Sequence, residues 1–236
     1  MNQSAIVTGA GRGLGFSVVK QHIERGDRVY AYEVAITDEL VAYAREHEKL
    51  HIYHCDLAST ASVEAAVVDM LAKEEKIDYL YNIAGIFHFS ARCGLAETDI
   101  DEGLIMYEVN AAGLLRMCKA ALPKLSKGSM VVNVTSESGS VGDCYRDHEY
   151  VYGMSKCAAN IASMILQNEV RPRGVRVICF HPGWLRSVMG GEGAANSPDS
   201  VSTDESAGNI VGYATRPETI PEGVYFMEHT GKPLPW

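Results

Sequence analysis

The chain has 236 residues, 47% of them apolar and 22% charged, with a formal net charge of −9. That length and those proportions suit one α/β domain with a full hydrophobic core. The acidic balance, without a concentrated Lys/Arg run, excludes a nucleic-acid footprint, and no apolar run is long enough to span a membrane. No signal-peptide pattern precedes the first expected strand. Cys55, Cys93, Cys118, Cys144, Cys157 and Cys179 are scattered without a Cys-x-x-Cys. Both features are expected of a cytoplasmic protein with reduced thiols.

Apolar, β-rich runs alternate with helical stretches along the chain. Strands are expected at Ser4–Thr8, Arg28–Glu33, Leu50–Cys55, Ile77–Ile83, Met130–Thr135, Val175–Phe180 and Gly223–Met227. Helices are expected near 13–25, 37–48, 60–74, 99–125, 149–170 and 204–213. The strands are apolar on both faces, as a parallel sheet covered by helices requires. Repeated βα units with right-handed crossovers then predict a single-domain, doubly wound parallel sheet, a Rossmann fold of about seven strands, over residues 1–236.

The first strand runs straight into Gly9-Ala10-Gly11-Arg12-Gly13-Leu14-Gly15 and then a helical stretch. Strand, glycine loop and helix form the context that a dinucleotide pyrophosphate needs. Glycines permit close backbone approach, and the helix N-terminus offers free N–H groups to phosphate.

A second signal is Tyr152-Gly153-Met154-Ser155-Lys156, read with Ser136 upstream. Residues four apart on a helix share a face. A phenol has a free pKa near 10. An ammonium about 4 Å away, at an effective dielectric of about 20, favours the phenolate by roughly 4 kcal/mol. That would bring Tyr152 into range for proton transfer near neutral pH. Tyr150 falls on the wrong helix face to replace it, and Ser138 lies in the turn leading away from Ser136.

With its Thr-Gly-x-x-x-Gly-x-Gly loop, the chain resembles the short-chain dehydrogenase/reductase family, in its single-domain, carbonyl-reductase-like branch. The resemblance covers essentially the whole chain. Its motifs occur in order: Gly9, Gly13 and Gly15; Asp56-Leu57; Asn82-Ile83-Ala84-Gly85, with Ile83 in place of a second asparagine; Asn110; Ser136; Tyr152 and Lys156; and Pro182-Gly183.

The resemblance implies an oxidoreductase that moves a hydride between a nicotinamide cofactor and a small-molecule carbonyl/alcohol pair. Its catalytic residues would be Asn110, Ser136, Tyr152 and Lys156. Tyr152 would be the general acid or base, and Lys156 would also bind the nicotinamide ribose. Ser136 would hold the substrate oxygen, and Asn110 would hold a water feeding protons toward Lys156. The cofactor would lie on Gly9, Gly11, Arg12, Gly13, Leu14, Gly15, Glu33, Asp56, Leu57, Asn82, Ala84, Gly85, Tyr152, Lys156, Pro182, Gly183, Leu185 and Ser187. The same resemblance implies a mobile substrate lid at 185–203 and a homodimer or homotetramer paired through the long helices near 99–125 and 149–170. An epimerase or dehydratase on the same scaffold, or a non-catalytic NAD(P)-binding module, are the alternative readings.

Glu33, at the end of the second strand, favours NAD(H), because a carboxylate binds ribose hydroxyls and repels a 2′-phosphate. Arg12 points toward NADP(H), the second candidate. The polar stretch Asp143–Glu149 is surplus to the family's usual spacing between serine and tyrosine; it shapes the substrate pocket or is a solvated loop. Trp184, Phe87, Met189 and Tyr145 are either pocket walls or ordinary packing. His47-Glu48-Lys49-Leu50-His51 fits a zinc-protease pattern, but it straddles a helix end and a strand, so no metal site is expected.

Overall fold

The computed structural model describes residues 3–236. Their seven strands are β1 Ser4–Thr8, β2 Arg28–Glu33, β3 Leu50–His54, β4 Tyr79–Asn82, β5 Met130–Val134, β6 Arg176–His181 and β7 Phe226–Glu228. They form one sheet in the order β3-β2-β1-β4-β5-β6-β7, with every neighbouring pair parallel.

Alternation along each strand divides the core in two. Ala5, Val7, Val29, Ala31, Tyr79, Tyr81, Val132 and Phe180 face one apolar layer. That layer is closed by helices α1 (Gly13–Glu24), α2 (Asp38–Glu46) and, further along the chain, Thr203–Thr215. Ile6, Tyr30, Tyr32, Leu80, Val131 and Val177 face the other layer. It is closed by α3 (Thr60–Lys73), α5 (Leu114–Ala121) and α6 (Tyr150–Val170), and α4 (Ile100–Tyr107) packs on α6. Burying both faces of a strand is what a parallel sheet demands. The remaining helices are α7 (Gly191–Asn196) and α8 (Thr203–Thr215). Side chains of Thr37, Ser59, Asp99 and Ser202 accept backbone N–H bonds at the starts of α2, α3, α4 and α8. Each such cap stabilises its helix by about 1 kcal/mol.

Beyond one-residue differences at the ends of β3, β5 and β6, the structure departs from the expected elements at four places. β4 stops at Asn82 because the Thr8 hydroxyl takes the Ile83 N–H. β7 covers Phe226–Glu228 rather than beginning at Gly223. The stretch 99–125 is not one helix: α4 passes into α5 through a π-helical segment, Glu108–Gly113. Gly113 there packs so closely that an added Cβ would lie 2.8 Å from Leu57 Cβ. Finally, a short helix not expected from the sequence, α7, forms inside the stretch expected to be a mobile lid.

Strand order reverses between β1 and β4. Ligands of such sheets bind outside the carboxyl ends of the strands at that point.

Candidate active site

The loops after β1 and β4 meet at this reversal. Thr8 Oγ1 accepts from the backbone N–H groups of Ile83 at 3.1 Å and Ala84 at 3.2 Å, which laces the two loops together. Gly9 turns with φ +66°, and a Cβ there would sit 2.7 Å from Ala84 Cα. A Cβ on Gly15 would sit 1.9 Å from the Gly9 carbonyl oxygen. Both positions therefore exclude any side chain. Leu14 is buried beneath the loop, Arg12 is exposed at the start of α1, and Gly13 looks toward Ser187.

Glu33 reaches back under the same loop. One carboxylate oxygen accepts the Gly11 N–H at 2.8 Å and the other accepts the Val34 N–H at 2.9 Å. The Thr37 hydroxyl donates to the Gly11 carbonyl at 2.8 Å. The Asp56 carboxylate closes its own turn onto the Ala58 N–H, and Leu57 is buried against Gly113. The Asn82 carboxamide is turned into the sheet instead of the cleft, donating to Asn133 Oδ1 at 2.8 Å. Thr8 and Thr37 were missed as loop-positioning residues. A hydroxyl directly before the first glycine was the available signal for Thr8; nothing local marks Thr37.

Ser136 follows β5, and Tyr152 and Lys156 lie one turn apart on α6. Lys156 is buried, and its Nζ donates to the Val134 carbonyl at 3.2 Å, 5.7 Å from the Tyr152 ring centre. Burial pulls its pKa down to about 8, against opposing pulls from Cys179 and Glu137. Tyr152 packs edge-on against Phe87, ring centres 4.9 Å apart. Its phenol is not lowered toward neutrality as the Tyr-Lys spacing led us to expect. Burial pushes it well above its ordinary value and Glu137 adds to this, while its hydrogen bond with Ser136 opposes the rise. Lys156 is turned toward a carbonyl, which is why the expected ammonium-to-phenolate effect is missing here. Strongly perturbed groups gathered in one cleft are typical of a functional site.

Asn110 sits on the π-helical segment, a feature frequent at functional sites. Its Oδ1 accepts the Ile86 N–H at 2.8 Å, and its Nδ2 donates to the Ile86 carbonyl and to Ser155 Oγ, both at 3.0 Å. Ser155 in turn donates to the Tyr152 carbonyl at 2.7 Å. Ser155 is fully buried and links Asn110 to the tyrosine's turn of α6. Gly85 lies beside both the Asn110 carboxamide and Lys156 Nζ. Tyr150 faces outward, as its helix angle requires, whereas Ser138 braces Ser136 through its backbone N–H at 3.1 Å.

Beyond β6, the Pro182 carbonyl accepts from Ser206 Oγ, and Gly183 turns with φ +83°. Leu185 forms a bridge to Val201, and Arg186 Nη1 donates to the Ser200 carbonyl at 2.6 Å, so both ends of 185–203 are tied together. Ser187 Oγ accepts the Gly190 N–H. Away from the cleft, His47 ends α2 with its ring tilted against Tyr43, and His51 lies in β3 against Tyr30. The described residues contain no group of three or more potential metal ligands, and no helix among them is long and apolar enough to cross a membrane.

Comparison with known proteins agrees with this geometry. The short chain dehydrogenase family pattern matches residues 3–197. The 1-hydroxy-2-glutathionyl-2-methyl-3-butene dehydrogenase of Rhodococcus sp. (strain AD45) is 31% identical over 186 residues, 79% of each chain. The NADPH-bound carbonyl reductase from chicken fatty liver superposes with a TM-score of 0.89 at 25% identity, covering 100% of this chain and 99% of that one. The carbonyl reductase Sniffer of D. melanogaster superposes with a TM-score of 0.86 at 27% identity, covering 100% of both chains. This chain therefore belongs to the short-chain dehydrogenase/reductase family of oxidoreductases.

Proposed function

We propose that the chain transfers a hydride between a nicotinamide dinucleotide and a small-molecule carbonyl/alcohol pair, with Tyr152 as general acid in reduction and general base in oxidation. The observation that carries this reading is the grouping of Ser136, Tyr152, Lys156 and Asn110 at the carboxyl ends of β4 and β5, beside a glycine cradle that admits no side chain. The cradle fits a pyrophosphate: backbone N–H groups and the start of α1 face the space that the glycines keep open. When bound, the nicotinamide supplies or accepts the hydride.

The protein's own residues manage the proton. Ser136 holds the substrate oxygen beside the phenol. Tyr152 gives its proton to that oxygen in reduction and removes one in oxidation. Lys156 holds the ribose and favours the phenolate once it turns from the Val134 carbonyl toward the phenol, and Asn110 keeps the Ile86 backbone and α6 aligned for proton return. Leu185, Ser187 and the Pro182-Gly183 turn border the nicotinamide end, and 185–203 serves as the substrate lid. The direct test is oxidation of NADH or NADPH by a carbonyl panel, followed by nicotinamide absorbance. Absence of any net change with every carbonyl and alcohol would overturn the proposal.

The chicken relative holds NADPH, so the NADH preference proposed here rests on Glu33 alone. The Glu33 carboxylate lies against Gly11, beneath the loop that would carry the adenosine phosphates. A 2′-phosphate brought there is repelled. NADH is expected to bind about tenfold or more tighter than NADPH, and Glu33→Ala to narrow the gap. Fluorescence titrations at matched salt decide it, and an NADPH preference in the native protein would assign selection to Arg12.

The helices α4 to α6 expose Leu104, Ile105, Leu115, Met154, Ile161 and Ile165. Exposed apolar residues in such number support self-association. Light scattering is expected to give the mass of a dimer or tetramer; a monomer at micromolar concentration would refute this.

A further inference from the structure

The polar stretch 143–149 is not an idle loop, because one of its residues joins the serine turn to the start of the catalytic helix. Arg146 forms ion pairs with Glu137 and Glu149 at the same time. Glu137 directly follows Ser136, and its Oε2 accepts a hydrogen bond from the Ser136 hydroxyl at 2.6 Å. The same oxygen lies 3.0 Å from His181 Nδ1. Glu149 is buried, immediately precedes α6, and is the one non-glycine residue with positive φ (63°) among the described residues. Such a backbone costs about 1 kcal/mol or more and persists where surrounding contacts over-determine it. Those contacts are Arg146 and Arg92, with His148 3.7 Å away.

Resting on the hydride-transfer reading above, we propose that Arg146 is a positioning residue for that reaction. It neutralises the two carboxylates nearest the Tyr152 phenol and pins the first turn of α6 to the Ser136 turn.

The electrostatic reason is direct. The charged groups that act on Tyr152 or pair with those that do are Glu137 after β5, Glu149 at the start of α6, Lys156 on α6, Arg146 from the polar stretch, His181 at the end of β6 through Glu137, and Arg92 and His148 through Glu149. Burial pushes Glu137 up, but His181, Ser136 and Arg146 outweigh it and hold the acid down at about 2, so it is ionised at working pH. A carboxylate beside a phenol opposes the phenolate, by about one to three pKa units at close range. A guanidinium on the same carboxylate offsets part of that effect. Without Arg146, the Glu137 charge would act on the phenol unopposed by a guanidinium and raise the barrier to using Tyr152 as a base.

The test measures alcohol oxidation at saturating oxidised cofactor, using the alcohol of whichever carbonyl in the panel is reduced fastest. Rate is read against pH for the native protein, Arg146→Met, Arg146→Lys, Glu137→Gln and the double variant Glu137→Gln/Arg146→Met. The rate rises as Tyr152 loses its proton. Arg146→Met is expected to move that rising limb about one pH unit upward and to lower kcat about tenfold, with cofactor affinity unchanged. The double variant is expected to bring the limb back to within about half a unit of native, and Arg146→Lys to restore part of it.

A limb unmoved in Arg146→Met, or a double variant no better than the single, would overturn the proposal even if activity falls. Should Arg146→Met not fold, Glu137→Gln alone must move the limb downward, and an unmoved limb overturns it equally. Turnover retained in Tyr152→Phe, or none in the native protein, would instead sink the hydride-transfer reading itself.

Discussion

Tyr152→Phe is expected to lower turnover by about 10³-fold or more while leaving cofactor affinity within about twofold of native. The ring packs edge-on against Phe87, and phenylalanine keeps that contact, so the fold and the cofactor cleft have no reason to change. Only the proton-carrying oxygen is lost. Burial keeps this phenol protonated, which suits it to donate a proton in reduction. To serve as a base it needs a cation to offset that burial, and Lys156 is the nearest on the same helix. Initial rates of NADH or NADPH oxidation, paired with fluorescence titration of the cofactor, separate the two effects. Full activity would mean that another acid, with Ser138 the nearest hydroxyl to Ser136, carries the proton.

Lys156→Met is expected to abolish turnover and yet raise stability, which marks a residue retained for chemistry instead of packing. Lys156 is 5% exposed, and burial depresses its pKa from 10.5 to about 8. The sign follows from proton counts. Between those two values the unfolded chain binds more protons than the native one, so this residue's contribution to stability rises with pH across that window. Below about pH 8 the full cost of burying the charge applies, about 3 kcal/mol. Methionine removes that cost and keeps most of the volume, but it leaves the Val134 carbonyl without its donor, a loss of about 1 kcal/mol. The net expectation at pH 7 is a gain of about 1–2 kcal/mol. By pH 10 that gain should be gone. Urea unfolding at both pH values checks it. A variant less stable than native at pH 7 would mean that the ammonium stabilises the fold.

The fold was legible because its signals are local. Strands apolar on both faces, such as Ser4–Thr8 and Arg28–Glu33, and the glycines between strand and helix, announce a parallel sheet and its ligand-binding edge without reference to distant residues. The spacing of Tyr152 and Lys156 likewise put both on one face of α6. What the sequence did not show depends on contacts across the fold. The π-helical segment around Asn110 carries Gly113, which packs on Leu57, a residue far away in the chain. Thr37, Ser155 and the Glu137–Arg146–Glu149 bridge become meaningful only once the loops have met. The direction of the Tyr152 shift was misjudged for a related reason: spacing gives the distance between two side chains on a helix, not the burial of the phenol or the carbonyl that captures the ammonium. The inward turn of Asn82 has the same origin, since its partner Asn133 lies on the adjacent strand.

The measurement that bears most directly on the central claim is transfer of deuterium from nicotinamide carrying the label at C4. Native protein is incubated with labelled NADH or NADPH and the carbonyl panel, and the alcohol products are analysed by mass spectrometry. Hydride transfer aided by Tyr152 predicts one deuterium on the carbinol carbon, and none above background with Tyr152→Phe. Cofactor that binds but never passes its label to any carbonyl, or label transfer undiminished without the Tyr152 hydroxyl, would contradict it.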